Sequence, residues 1–212
     1  MRMNKKEVYE AIRFNIIINS IGPNEILNEK DLMEQFKLGR SPLRDVLFKL
    51  QEEELLRTLP RLGYMTTPLN ISEVRDLVEM RTELEGFAGF LAAKRITPSK
   101  LEHLRKVILK AEDEMPEHYE VENLSEYFDT QFHNTIYEAT GNQKLIKILN
   151  KLHTTMLRIW FHLGFKTLGY SKQAKNLHEV IEALEKKDHV RTRQAMEEHV
   201  EMHTRKIREK FL

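Results

Sequence analysis

The sequence contains no cysteine, which excludes disulfides and thiolate metal centres. No apolar run approaches the roughly 18 residues needed to span a bilayer, and the N-terminus carries no apolar signal segment. A cytoplasmic location without a membrane partner is the expectation. An excess of one charge is also missing. Lys and Arg number 34 against 33 Asp and Glu, a formal net charge of +1. That balance counts against a basic coat over nucleic acid and leaves room for a small basic reading surface. Internal repeats and low-complexity segments are absent, and glycine is scarce beyond Ile71. What is present is 41% hydrophobic and 32% charged over 212 residues, which suits one large or two small helix-rich domains.

The first third alternates helix patterns with short breaks. Val8, Ile12 and Ile16 to Ile18 give residues 4–19 one apolar helical face, and Ser20-Ile21-Gly22-Pro23-Asn24 ends it. Asn28, with Asp31 three residues on, has the form of an N-cap with an acidic first turn. A short helix with Leu32, Met33 and Phe36 follows, then a turn at Lys37-Leu38-Gly39. The next helix runs from Ser41 to about Glu53, with Ser41 expected as N-cap and Pro42 at the first helical position. Leu55 to Leu59 and Tyr64 to Thr67 have strand character around the hairpin turn Pro60-Arg61-Leu62-Gly63. Three helices and a two-stranded wing make a winged helix-turn-helix over residues 1–69.

Its charges sit where such a unit meets DNA. Residues 1–68 hold 11 Lys and Arg against 10 Asp and Glu, so position matters more than total. Arg40 precedes the expected helix and Arg44 lies in its first turn, the part of a recognition helix that enters the major groove. Arg44 is the candidate for base edges, since a bidentate pair to guanine is the commonest specific contact. Lys30, Arg40 and Ser41 are candidates for phosphate. Gly63, with Arg61 beside it, would let the wing approach the duplex closely. The plainer alternative is a pair of solvated arginines, against which cap, turn spacing and wing all agree.

From Ile71 onward helical periodicity dominates, with breaks near Thr97-Pro98, Pro116, Gly141-Asn142, Gly164 to Gly169 and Lys187-Asp188. Residues 70–212 therefore read as an all-α bundle of six to seven helices. Arg81 falls within the apolar stripe Val74, Leu77, Val78, Leu84, Ala88 and Leu91. A buried guanidinium needs a partner: either a carboxylate such as Glu85 or, as a fork, the carboxylate of a ligand. Asp129 and His133 lie one turn apart, in the spacing that chelates one metal ion. His178, and His199 on the stripe Met196, Val200, His203 and Ile207, would complete one carboxylate and three imidazoles with positions left open. Spacing alone leaves satisfied core histidines as the alternative. His203 stands as a reserve for His199. Arg158 is a further pocket candidate, while His153, His162 and His189 are assigned to surface or packing.

Residues 28–63 resemble the winged helix of the GntR superfamily of bacterial transcription regulators. The resemblance rests on Leu38-Gly39-Arg40-Ser41-Pro42-Leu43-Arg44-Asp45-Val46-Leu47, then Glu53-Glu54-Leu55-Leu56 and Pro60-Arg61-Leu62-Gly63-Tyr64. Gly39 replaces the family's usual Ser or Thr, and Pro23-Asn24-Glu25 departs from its usual Pro-Gly. Leu77 to Ala93, Phe128-Asp129 to His133-Asn134, Ala139 to Asn142, His178 to Leu184 and Ala195 to Val200 resemble the FCD ligand domain of the FadR-type branch. Its metal-binding members place an Asp and three His where this chain has Asp129, His133, His178 and His199. The resemblance implies one divalent metal per chain, zinc first with nickel or manganese as alternatives. It implies a homodimer on a pseudo-palindromic DNA operator, acting as a repressor. A small organic acid bound near the metal, with Arg81 and Arg158 as its candidate contacts, would set operator affinity. The competing expectation is a metal-dependent hydrolase built on a helical bundle.

Overall fold

The computed structural model describes residues 3–114, 122–165 and 170–211, and the side chains of these residues other than 114, 122–126, 170–175, 203, 206 and 208–211. The chain forms two compact units, Met1–Ile71 with Leu157–Gly164 and Ser72–Met156 with Phe165–Leu212.

In the first unit, α1 (Lys5–Ile17) starts at Asn4, whose side chain accepts from the N–H groups of Lys6 and Glu7 while Glu7 accepts from the Asn4 N–H. This is a capping box. A two-residue strand, β1 (Ile26–Leu27), precedes α2 (Glu29–Phe36), whose N-cap is Asn28 as its sequence suggests. α2 stops at Lys37 in the left-handed region (φ 50°), and buried Leu38 anchors the turn. α3 (Arg40–Glu52) starts earlier than expected: Gly39 is its N-cap and Ser41 makes no cap. Pro42 still fits, because the first four N–H groups of a helix have no intrahelical partner. The first α-turn bond runs from Leu43 N–H to the Gly39 carbonyl at 3.1 Å. Arg40 and Arg44 thus lie one turn apart on the same helical face.

β2 (Leu56–Leu59) and β3 (Gly63–Thr66) form the wing. The sheet is three-stranded, in the order β1-β3-β2 and antiparallel throughout, with Leu27 opposite Tyr64 and Leu59 opposite Gly63. β1 was not legible, since two residues carry no period. It also explains Gly63: at φ 111° and with Leu27 O 2.7 Å from where a Cβ would stand, only glycine fits. Asn24 takes φ 61°, the left-handed conformation glycine would supply there and asparagine tolerates. Val8, Ile12, Ile16, Leu43, Leu47 and Leu50 form the core of this unit, each at most 1% exposed.

The second unit is helical among its described residues: α4 (Val74–Arg95), α5 (Pro98–Glu114), α6 (Glu122–Ala139), α7 (Gln143–His162), α8 (Tyr170–Glu185) and α9 (His189–Phe211). The division between the units falls inside α7. Four expected breaks coincide with helix boundaries, among them Gly164 (φ 80°), which follows α7. Gly141 (φ 63°) follows α6, and Asn142 Oδ1 caps α7. Lys187 (φ 52°) follows α8, and Asp188 Oδ1 accepts the Arg191 N–H at the start of α9. α5 starts at Pro98. The break expected at Pro116 and the glycine at 169 lie outside the described residues. α4 packs on α9 and α6, while α8 packs on α9 and α5. Gly89 permits the α4–α9 approach, since a Cβ there would meet Met196 Cγ at 2.8 Å and the Thr192 carbonyl oxygen at 3.0 Å. Phe128, Phe132, Ile136, Leu149, Val180 and Met196 are among the buried side chains at the centre.

Candidate functional site

On the first unit, α3 buries Leu43, Val46, Leu47 and Leu50, which leaves Arg40, Ser41 and Arg44 on its exposed face. Arg44 Nε donates to both oxygens of Glu29, at 3.2 and 3.3 Å, and Arg40 Nε lies 3.9 Å from the same carboxylate. Lys30 is exposed in the first turn of α2. At the wing, exposed Arg61 adopts φ 69°, and Gly63 is half-buried beneath β1.

In the second unit a polar cluster occupies the space of a core. Asp129 and His133 come from α6, one turn apart, and His199 comes from α9; all three are buried. His133 Nε2 stands 3.3 Å from His199 Nε2 and 3.7 Å from Asp129 Oδ1. The other face of each group is held from behind. Glu85 Oε2 lies 2.9 Å from His133 Nδ1 without hydrogen-bond alignment, the Tyr137 hydroxyl oxygen lies 3.3 Å from the same nitrogen, and Asn176 Oδ1 lies 3.1 Å from His199 Nδ1. His153 Nε2 lies 3.2 Å from Asp129 Oδ2, without hydrogen-bond alignment. With both Nδ1 atoms turned to oxygen acceptors, neutral rings would point two Nε2 lone pairs at each other. Imidazoles oriented by outer carboxyl and amide groups, facing a further carboxylate, are a donor set that a divalent cation fits.

A second grouping, Glu85, His133 and His153, also brings three donors together, but it suits a cation less. Glu85 Oε1 already accepts from Arg81 Nε and Nη2 and from the Tyr137 hydroxyl. A metal there would stand against the guanidinium.

Burial and neighbours set the protonation states. Burial opposes charge on His133, yet Glu85 and Asp129 beside it raise its pKa above 6.5. Glu85 is likewise penalised by burial, but His133 and Arg81 hold it well below the usual carboxylate range. His153 moves the other way: burial, then repulsion from His133, push it down to about 4. Its ring is therefore neutral at neutral pH. Facing Arg81 Nη2 at 3.5 Å, its Nδ1 is the accepting nitrogen, and its proton sits on Nε2 toward Asp129.

Several expected residues fall elsewhere. His178 is exposed and pairs with Glu112, its Nε2 2.8 Å from Oε1. The reason is helix phase. α8 starts at Tyr170 and buries Leu177, Val180, Ile181 and Leu184, so His178 points off that stripe while Asn176 reaches His199. Arg81 is engaged by Glu85 rather than held open as a fork. Arg158 lies in the first unit, where it donates to Thr67 Oγ1 and to the Thr67 carbonyl, each at 2.7 Å. Its burial lowers its pKa to about 10. His153, assigned to surface or packing, is 3% exposed and belongs to the cluster. The signal was present: His153 shares a helical stripe with Leu149, Met156, Leu157 and Trp160, all buried.

Comparison with known proteins adds the following. Residues 76–202 match the FCD domain, and residues 4–65 match the bacterial regulatory proteins of the gntR family. The Nta operon transcriptional regulator of Aminobacter aminovorans is 33% identical over 130 residues, 61% of this chain and 60% of that protein's length. The HTH-type transcriptional repressor RspR of Escherichia coli strain K12 is 23% identical over 207 residues, covering 96% of this chain and 89% of its own. Among solved structures, E. coli McbR/YncC superposes over 100% of both chains, with a TM-score of 0.80 at 19% identity.

Proposed function

Since the chain belongs to the GntR family of bacterial regulatory proteins and carries that family's FCD domain behind its winged helix, we propose that it is a metal-containing repressor whose operator affinity is set by a small carboxylate. It is a transcription regulator, not an enzyme, and the matched relatives give the hydrolase alternative no support. No helix among the described residues is long and apolar enough to cross a membrane, and a DNA-binding regulator of this family works in the cytoplasm.

The observation that carries the effector half of this reading is the pair of opposed Nε2 atoms on His133 and His199, with Asp129 beside them. These three residues would hold the ion, zinc first and nickel or manganese as alternatives. Glu85, Asn176 and His153 would orient them from behind. A bound divalent ion would supply a Lewis-acidic, positively charged anchor with open positions for an anionic ligand. Three protein ligands, rather than four with His178, leave more of those positions to a carboxylate. Arg81 contributes by keeping Glu85 ionised behind His133, not by gripping the effector.

For DNA, Arg44 is the base-reading residue, and Lys30, Arg40, Ser41 and Arg61 are phosphate contacts, with Gly63 fixing the wing. A homodimer places two such heads on the half-sites of a pseudo-palindrome. The exposed Met80 and Phe87, two turns apart on α4, offer an apolar face for a second copy. The effector acts only by binding one arrangement of the dimer better than another.

The test is duplex binding by the full chain, metal-loaded and metal-stripped, against a panel of small dicarboxylates and hydroxy acids. The expected result is that one acid weakens operator binding by the loaded protein and leaves the stripped protein unchanged. An equal response in both states would overturn the metal-linked effector site.

A further inference from the structure

Glu29 opens α2, and both arginines of the recognition face converge on it. Its carboxylate accepts the Arg44 Nε–H at 3.2 Å on Oε1 and 3.3 Å on Oε2, and stands 3.9 Å from Arg40 Nε. The arginine side chains are 59% and 71% exposed, while Glu29 is only 20% exposed beneath them. A guanidinium presents five N–H donors in a planar fork. Held at Nε, Arg44 keeps both terminal nitrogens, the end-on edge that pairs with guanine O6 and N7. A side chain already ordered in that pose loses less rotamer freedom on meeting its base. The same carboxylate has an opposing effect, because a negative charge next to the phosphate backbone weakens binding to every duplex alike.

We propose that Glu29 is a positioning residue for DNA reading, which fixes the Arg44 guanidinium with its terminal edge outward and so raises base selectivity at the expense of overall affinity. This rests on Arg44 as the base reader. It separates two quantities that a merely structural role would move together. Loss of Glu29 lowers the preference for one base at one position, while affinity for unrelated duplexes holds or increases.

The experiment uses the full chain. Preferred duplexes are selected from a randomised double-stranded DNA pool, and the position whose preference vanishes in Arg44→Ala is identified. At that position the wild type should prefer guanine by roughly five- to a hundredfold. Glu29→Ala should lose most of that preference and bind unrelated duplexes as well as or better than the wild type, with a wild-type helical spectrum. Glu29→Gln retains a neutral acceptor for the Nε–H and should keep part of the preference. In an Arg44→Ala background, Glu29→Ala should change the preference no further. Undiminished guanine preference in Glu29→Ala would overturn the proposal, as would equal weakening of cognate and unrelated binding. If Arg44→Ala itself leaves every base preference unchanged, the base-reader assignment is what fails, and the role of Glu29 falls with it.

Discussion

His133 and His199 face each other through Nε2 atoms 3.3 Å apart, with Nδ1 of one beside Glu85 and Nδ1 of the other beside Asn176. Two neutral rings so arranged would oppose lone pairs inside a buried cluster. A cation between them removes the conflict, and the candidates are a proton or a metal ion. Against the cost of burial, Glu85 and Asp129 raise the pKa of His133, which favours a proton on its ring, and the Asp129 carboxylate would complete a donor set for a metal. A proton and a metal would therefore compete at this ring.

That competition sets a pH dependence. In metal-free protein, the stability from protonated His133 beside Glu85 and Asp129 is complete below the ordinary imidazole value of 6.5 and fades as pH rises through the raised folded value. A bound metal would take the place of the proton over the same range. The gap in Tm between metal-loaded and metal-stripped protein should widen as pH rises above 6.5. Thermal melts across that range check it, and a gap that narrows would contradict it.

Glu85 is the residue whose loss should cost most. It is fully buried and is shared by Arg81, His133 and Tyr137. Glu85→Ala leaves the Arg81 guanidinium buried without its partner, a loss of about 3–5 kcal/mol, with metal affinity down about 10- to 100-fold. Tyr137→Phe removes one hydrogen bond to Glu85 and should cost about 1 kcal/mol. Urea unfolding of both variants should give that order. Equal costs would show that Glu85 is not the hub of the cluster.

Gly63→Ala should damage the wing alone. At φ 111°, with the Leu27 carbonyl oxygen 2.7 Å from the added Cβ, the strain is on the order of 1–3 kcal/mol. Operator affinity should fall while the metal content of the chain stays at the wild-type level. Wild-type DNA binding by this variant would mean that β1 moves aside at no cost.

The reading head was legible because its signals are local. Asn28 caps α2, Lys37 to Gly39 turn the chain, and Leu43, Val46, Leu47 and Leu50 follow helical period. The start of α3 was misplaced because serine and proline suit several first-turn positions, and the structure gives the cap to Gly39. In the bundle, Asp129 and His133 were legible from one-turn spacing. His178 was not placed correctly, because motif position fixes a residue on a helix but not the rotation of that helix against its neighbours. The burial of His153 was legible from the apolar stripe it shares with Leu149, Met156, Leu157 and Trp160, but its partner Asp129, like the partnership of Asn176 with His199, lies on a helix distant in sequence, and no local pattern encodes that. The partnership of Glu29 with Arg44 likewise crosses from one helix to the next.

Elemental analysis of the full chain purified without chelators, with His178→Ala, His199→Ala and Asp129→Asn beside the wild type, tests the metal centre most directly. Each variant is first checked for a wild-type helical spectrum. The geometry predicts about one divalent ion per chain in the wild type and in His178→Ala, and its loss from His199→Ala and Asp129→Asn. A wild type without metal, or loss from His178→Ala with retention in His199→Ala, would contradict it.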